Sequence, residues 1–208
     1  MASQRRGVGR GRPCRPGAYW SGAARWASQG RPMPLAALTH AAHLARRFFG
    51  SLRPGAPPSE EAAWATQNLL PAERALWSTM SASDQRHAIR VTRQVATTLG
   101  PRATRPVLAA ALLHDVGKTA SGLGTIGRTM ATLVGLVSPG RVQAWRTSGG
   151  VRQQIALYLC HPELGAGQLA RAGSDPLTVA WAREHHLPEG AWSVPWEVGN
   201  ALRLADQG

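Results

Sequence analysis

Cysteine is scarce: Cys14 and Cys160 are the only two in 208 residues. They are too few for a disulfide framework and are not spaced as a CxxC metal pair. Cys160, in "IALYLCHP", is expected to be a small core residue. Long apolar runs are missing too. The best, "MATLVGLV" (130–137), falls far short of the roughly 18 residues a membrane span needs. The first residues hold no apolar stretch of the signal-peptide type, so the cytoplasm is the expected location. Acids are absent from residues 1–58, where ten arginines give a charge of +10, whereas residues 59–208 carry 14 Lys and Arg against 11 acids. The formal charge of +13 therefore belongs mainly to a tail, and the body is close to neutral. No stretch shows the alternation of a half-buried strand.

What is present is helix after helix. Residues 1–32 are rich in Arg and Gly, lack periodicity and read as disordered. Three explanations stand side by side: a nucleic-acid-contacting arm, a solvated tail, or an upstream extension outside the translated protein, with Met33 as the start. Residues 33–58 read as a basic amphipathic helix (Leu35 to Leu52), suited to a partner, a membrane surface or the domain itself, followed by the linker "RPGAPPS". From residue 59 to 208 the pattern predicts one all-α domain. Pro71 suits a first helical position, Ser83 a cap for "DQRHAIRVTRQVATTL", and Pro106 the opening of the next helix. "SPG" (138–140) and "SGG" (148–150) read as breaks, Asp175-Pro176 as a helix start, and "WEVGNALRLAD" as the last helix.

The stretch "VLAAALLHDVGKTA" (107–120) runs an apolar segment straight into His114 and Asp115. A carboxylate buried without a partner costs several kcal/mol or takes up a proton instead. Similar polar residues sit where other helices meet the core: His161 after "IALYLC", Asp206 at the end of "NALRLAD", His87 inside "DQRHAIRV", and the pair His185-His186. Each histidine alone reads as a satisfied core residue. Together they are the mixed imidazole and carboxylate set that a divalent cation binds, and the cation offsets the desolvation of each group.

The order His87, His114-Asp115, Asp206 resembles that of the HD-domain metal-dependent phosphohydrolases. "HDVGK" (114–118) resembles the HDIGK-type signature of the branch that includes the HD-GYP phosphodiesterases. "HPELGA" (161–166), "REHH" (183–186) and "LRLAD" (202–206) resemble further segments of that branch in the same order, from about Leu70 onward. The resemblance implies a helical HD-domain bundle with a metal site between helices. It places one ion on His87, His114, Asp115 and Asp206, and a second on His161 and His185 with Asp115 shared. His186 is implied as a substrate-facing or supporting group. The ions implied are Fe or Mn, with Mg, Zn, Co and Ni open. The activity implied is hydrolysis of a phosphoester, a nucleotide or another small phosphorylated metabolite, by metal-bound hydroxide. The alternative is a non-catalytic HD-fold module that binds nucleotide or metal for regulation.

Lys118 is expected either to contact a substrate phosphate or to sit solvated at its helix end. Arg90, one turn from His87, is expected to face substrate. Lys118, Arg128, Arg141, Arg146 and Arg152 lie in an acid-free stretch between Gly117 and Pro162, suited to a polyanionic ligand or to a solvated surface. Gly117 is expected to let the chain turn out of its helix. "GKT" (117–119) lacks the first glycine of a P-loop, because Leu112 stands there. "GLGTIG" (122–127) follows no strand, and "HAAH" (40–43) has no further ligand beside it. After His186 there is no GYP segment, so the resemblance does not extend to cyclic di-GMP specificity. Asp206 stands two residues from the last position, where fraying of the final turn would loosen it.

Overall fold

The structure is a computed structural model that describes residues 55–137 and 142–208. The arginine-rich segment, most of the basic amphipathic segment and the "SPG" break lie outside the described residues. Among the described residues every regular element is a helix, as the missing strand alternation implies. No helix there is long and apolar enough to cross a membrane.

In chain order the helices are α1 (Ser59–Gln67), α2 (Pro71–Ser78), α3 (Ala82–Leu99), α4 (Arg105–Leu113), α5 (Thr125–Val137), α6 (Val142–Trp145), α7 (Gly150–Leu159), α8 (His161–Arg171), α9 (Pro176–Glu184) and α10 (Trp196–Gln207). Short 3-10 turns cover Gly100–Arg102, Val116–Ser121 and Glu189–Ala191. Most starts follow the expected chemistry. Pro71 opens α2, Pro106 lies in the first turn of α4, and the Asp175 carboxylate accepts from Leu177 N at 2.9 Å ahead of Pro176. One start differs. Ser81, not Ser83, caps α3: its hydroxyl accepts from Asp84 N at 3.2 Å and donates to Asp84 Oδ2 at 2.7 Å. Ser83 lies inside the helix, two residues too late to reach an unpaired first-turn N–H.

Helix α4 is apolar on every side, so it has no solvent face and becomes the central element. Ala109, Leu112 and Leu113 face one cluster with Ile89, Val116, Ala166, Leu169 and Ala182. Val107, Ala110 and Ala111 face a second, with Val91, Val95, Trp181 and Leu202. Helices α3 and α9 pack against it, α10 packs on α3, and α8 lies on α9 and on the 3-10 turn after α4. Burying each of these leucines contributes about 1.5–3 kcal/mol. The chain leaves α4 at His114.

A third cluster joins Val142, Ala156, Leu159 and Cys160. Cys160 is fully buried in it, as expected of a small core residue. Arg128 of α5 donates to both Asp84 oxygens, at 2.9 and 2.7 Å, tying α5 to the start of α3. This arginine is therefore committed internally and does not belong to an open basic surface.

Candidate metal centre

Three histidines follow the end of a helix in the same way. His114 caps α4, His161 comes just after α7, and His185 caps α9. The last carbonyls of a helix have no N–H of their own. Each ring takes one: His114 Nδ1 lies 2.9 Å from Ala111 O, His161 Nδ1 2.7 Å from Tyr158 O, and His185 Nδ1 3.0 Å from Ala182 O. A carbonyl only accepts, so Nδ1 carries the proton in all three rings and Nε2 points away from the helix.

All three Nε2 atoms converge on Asp115. Its Oδ1 lies 3.5 Å from His161 Nε2 and 3.7 Å from His185 Nε2, while its Oδ2 lies 3.3 Å from His114 Nε2. On the far side, Asp206 Oδ1 stands 3.6 Å from His114 Nε2 and 2.8 Å from His87 Nε2. His186 is exposed at the edge, with its Nε2 3.2 Å from His161 Nε2. His87 and Asp206 are 119 positions apart in sequence, yet they share one hydrogen bond. Asp206 is held inside the final turn of α10, which packs on α3.

Charges in this volume are compensated from within. Burial works to raise the Asp115 pKa, but the Lys118 and His114 charges outweigh it and hold the carboxyl well below its usual range. Burial works to lower His114, but Asp115 and then Asp206 outweigh it and raise its pKa to about 10. His161 is pushed down to about 4, chiefly by burial, so its ring is neutral at pH 7. Lys118 is buried, and its ammonium is ion-paired with Asp115 Oδ2. It is therefore neither solvated nor aimed outward.

Whether a cation fits can be judged from the polar atoms left over. The Nε2 atoms of His114 and His185 are fully buried and make no hydrogen bond. A buried nitrogen without a partner costs about 1–3 kcal/mol. Two groups could hold an ion, His87 with His114 and Asp115, and His161 with His185 and His186, the ligand atoms of each lying within 4.8 Å of one another. Asp206 adjoins the first group and Asp115 Oδ1 the second. A divalent ion in either group would face imidazole nitrogens and carboxylate oxygens, in the first group in place of the proton that His114 Nε2 carries beside Asp115 and Asp206, and the residues present fit it.

The two motif glycines explain how the groups meet. A Cβ on Gly117 would lie 2.6 Å from Gly165 N, and closer still to the His161 carbonyl oxygen. A Cβ on Gly165 would lie 3.0 Å from Gly117 N. The Val116–Ser121 turn and the start of α8 therefore pack backbone to backbone, which brings His161 within reach of Asp115. Gly117 does not serve the turn expected of it, because its φ is not positive; it is needed for close approach.

The six residues expected as metal ligands, His87, His114, Asp115, His161, His185 and Asp206, all lie in this cluster, and His186, expected as a substrate-facing or supporting group, lies at its edge. Arg90, expected to face substrate, is exposed and donates to His87 Nδ1 at 2.9 Å. Three features were not read from the sequence: the carbonyls that pin the imidazoles, the Gly117–Gly165 contact, and the place of Lys118 on Asp115. Comparison with protein-family models, curated proteins and solved structures gives no match.

Proposed function

We propose that this cluster is a divalent-metal centre and that the protein is a metal-dependent phosphohydrolase or phosphodiesterase of the HD-domain type. The observation that carries the reading is the pair of buried, unpartnered Nε2 atoms of His114 and His185 around a buried, ionised Asp115. Helix ends hold these imidazoles in the tautomer a metal ligand needs, and the five sequence segments resembling that family supply every residue. His87, His114, Asp115 and Asp206 would hold one ion, and His161 and His185 a second, with Asp115 between them. His186 would complete the second group or meet substrate. The mixed nitrogen and oxygen donors suit Fe or Mn, with Mg, Zn, Co and Ni as further candidates.

Such ions, when bound, lower the pKa of a water molecule and neutralise phosphate oxygens. The protein's own residues do the rest. The i−3 carbonyls orient three rings, and Asp115 supplies a carboxylate whose pKa the Lys118 and His114 charges hold well below the usual range. The apolar end of α4 backs the inner side of the cluster. Arg90 and His186 are the exposed members of the cluster, placed to meet an anionic substrate at its rim. A nucleotide or another small phosphorylated metabolite is the substrate class.

Protein loaded with Mn or Fe should cleave bis(p-nitrophenyl) phosphate or a member of a nucleotide panel, and His114→Ala and Asp115→Ala should abolish that cleavage. Full activity in both variants would refute the assignment. Nucleotide binding without hydrolysis of any phosphoester would favour a regulatory binding module on the same fold.

A further inference from the structure

We infer that the exposed apolar stripe on α5 is the docking site of residues 35–52 of the same chain, laid antiparallel to α5 as one further helix. Among the described residues six large apolar side chains are exposed, and three of them, Ile126, Met130 and Leu133, lie on α5. Each of the three is more than half exposed. Their spacing of four and then three residues puts them in one line on the helix. The other face of α5 is committed. Ala131 and Gly135 are buried, and a Cβ on Gly135 would lie 2.8 Å from the Leu159 side chain of α7. Arg128 is fixed on Asp84, so α5 is held against rolling its stripe inward.

The chain itself supplies a matching stripe. Residues 35–52 lie outside the described residues, and their sequence spaces Leu35, Leu38, Ala42, Ala45, Phe49 and Leu52 alternately three and four apart. That is the pattern of a helix seam, and none of its positions is charged. Gly55, where the described chain begins, accepts at its carbonyl from Arg86 Nη1 of α3. Asp84, two residues before Arg86, holds Arg128 of α5. The entering chain and α5 are thus attached to the same end of α3. Only Arg53 and Pro54 separate Leu52 from Gly55, a reach of about 10 Å. A helix over residues 35–52 would be about 27 Å long. That is enough to pass the end of α3, roughly 10 Å across, and cover the stripe. A segment that ends at this point has Phe49 toward Ile126 and Leu35 beyond Leu133, which sets the antiparallel direction.

Size and charge separate this occupant from others. Three side chains fall well short of the about 1,000 Å² that a lasting interface between separate molecules needs. A segment tethered through two residues acts at an effective concentration on the order of millimolar and needs no such area. Helices that lie on membranes carry Lys or Arg beside their apolar face to meet anionic headgroups. The exposed positions Ile126, Thr129, Met130 and Leu133 of α5 carry no charge, and its arginine is engaged by Asp84.

The test is hydrogen exchange of the full chain, read by mass spectrometry, on wild type, the double variant Met130→Glu/Leu133→Glu, Phe49→Glu and Trp196→Glu. In wild type, residues 35–52 should exchange about tenfold or more slowly than an unprotected chain. The double variant should return them to the unprotected rate while α3 and α4 keep wild-type protection. Phe49→Glu should release the segment equally, and it reports even if the double variant disturbs α5. Trp196→Glu changes an exposed apolar side chain on α10 instead and should leave residues 35–52 protected. Rapid exchange of residues 35–52 in wild type, or protection that survives the double variant, would overturn the proposal. So would protection that appears only with phosphatidylserine vesicles, or that is lost on dilution together with a dimer seen by sedimentation.

Discussion

Gly117→Ala is the most informative single change, because it adds one methyl group at the contact that assembles the site. That carbon would sit 2.6 Å from Gly165 N and 2.9 Å from the His161 carbonyl carbon, where real Cβ contacts essentially never fall below 3.0 Å. Both neighbours are backbone, so no side chain can turn aside. The Val116–Ser121 turn must separate from α8, by on the order of 1 Å. Overpacking of this kind costs typically about 1–3 kcal/mol, and the rigid surroundings put this position at the upper end. For a domain of this size that corresponds to a fall in Tm of about 2–4 °C per kcal/mol. The separation also draws His161 away from Asp115 Oδ1, so metal affinity should fall together with stability. Gly167→Ala on the same α8 is the control. Its Cβ would meet only the end of the Arg171 side chain at 3.5 Å, and the change should be neutral or stabilising by up to about 1 kcal/mol. Chemical denaturation and metal titration of both variants make the comparison. Wild-type stability and affinity in Gly117→Ala would refute the backbone-contact reasoning.

Further expectations concern charge and packing. Asp115→Asn leaves Lys118 buried without its carboxylate and should destabilise the protein by about 3–5 kcal/mol in urea unfolding; an unchanged midpoint would show that the pair is not buried in solution. In protein kept free of metal, stability should decline on both sides of neutrality. His161, with a folded pKa of about 4 against 6.5 unfolded, binds its proton more readily when unfolded, so stability is lost as pH falls from 6.5 toward 4. His114, with a folded pKa of about 10, binds its proton more readily when folded, so its contribution is complete below 6.5 and lost as pH rises toward 10. His161→Gln should flatten the acid limb alone, and an unaltered limb would contradict that assignment. A double-mutant cycle on Asp84 and Arg128 should return a coupling of about 0.5–3 kcal/mol; zero coupling would mean that α5 is held by packing only.

The sequence made the helices legible because their signals are local: proline at first-turn positions, Asp175 as a cap, and an apolar α4 with no polar face. Apolar runs that close on His114, His161 and Asp206 mark polar groups at the core, and the ligand set itself comes from the resemblance of their order, with His87 and His185-His186, to HD-domain sequences. What the sequence could not convey depends on which backbones touch. Gly117 reads as a turn glycine until its nearest neighbour is known to be the carbonyl of a residue 44 positions later. Lys118 reads as a solvated helix-end cation or a phosphate contact, because nothing in the order of residues says that its ammonium folds back onto the carboxylate three positions before it. Ser81 and Ser83 are equivalent as composition, and only the reach to Asp84 N separates them. Arg128 counts toward a basic segment in sequence, yet α5 packs so that Asp84 neutralises it.

The centre itself is tested most directly by elemental analysis of freshly purified wild-type protein beside Asp115→Ala and His185→Ala. Wild type should carry one to two equivalents of a divalent transition metal per chain, with a large loss in both variants. Wild-type protein that holds no metal after purification, and takes none from excess Mn, Fe or Zn, would contradict the centre and leave the converging imidazoles as a feature of packing alone.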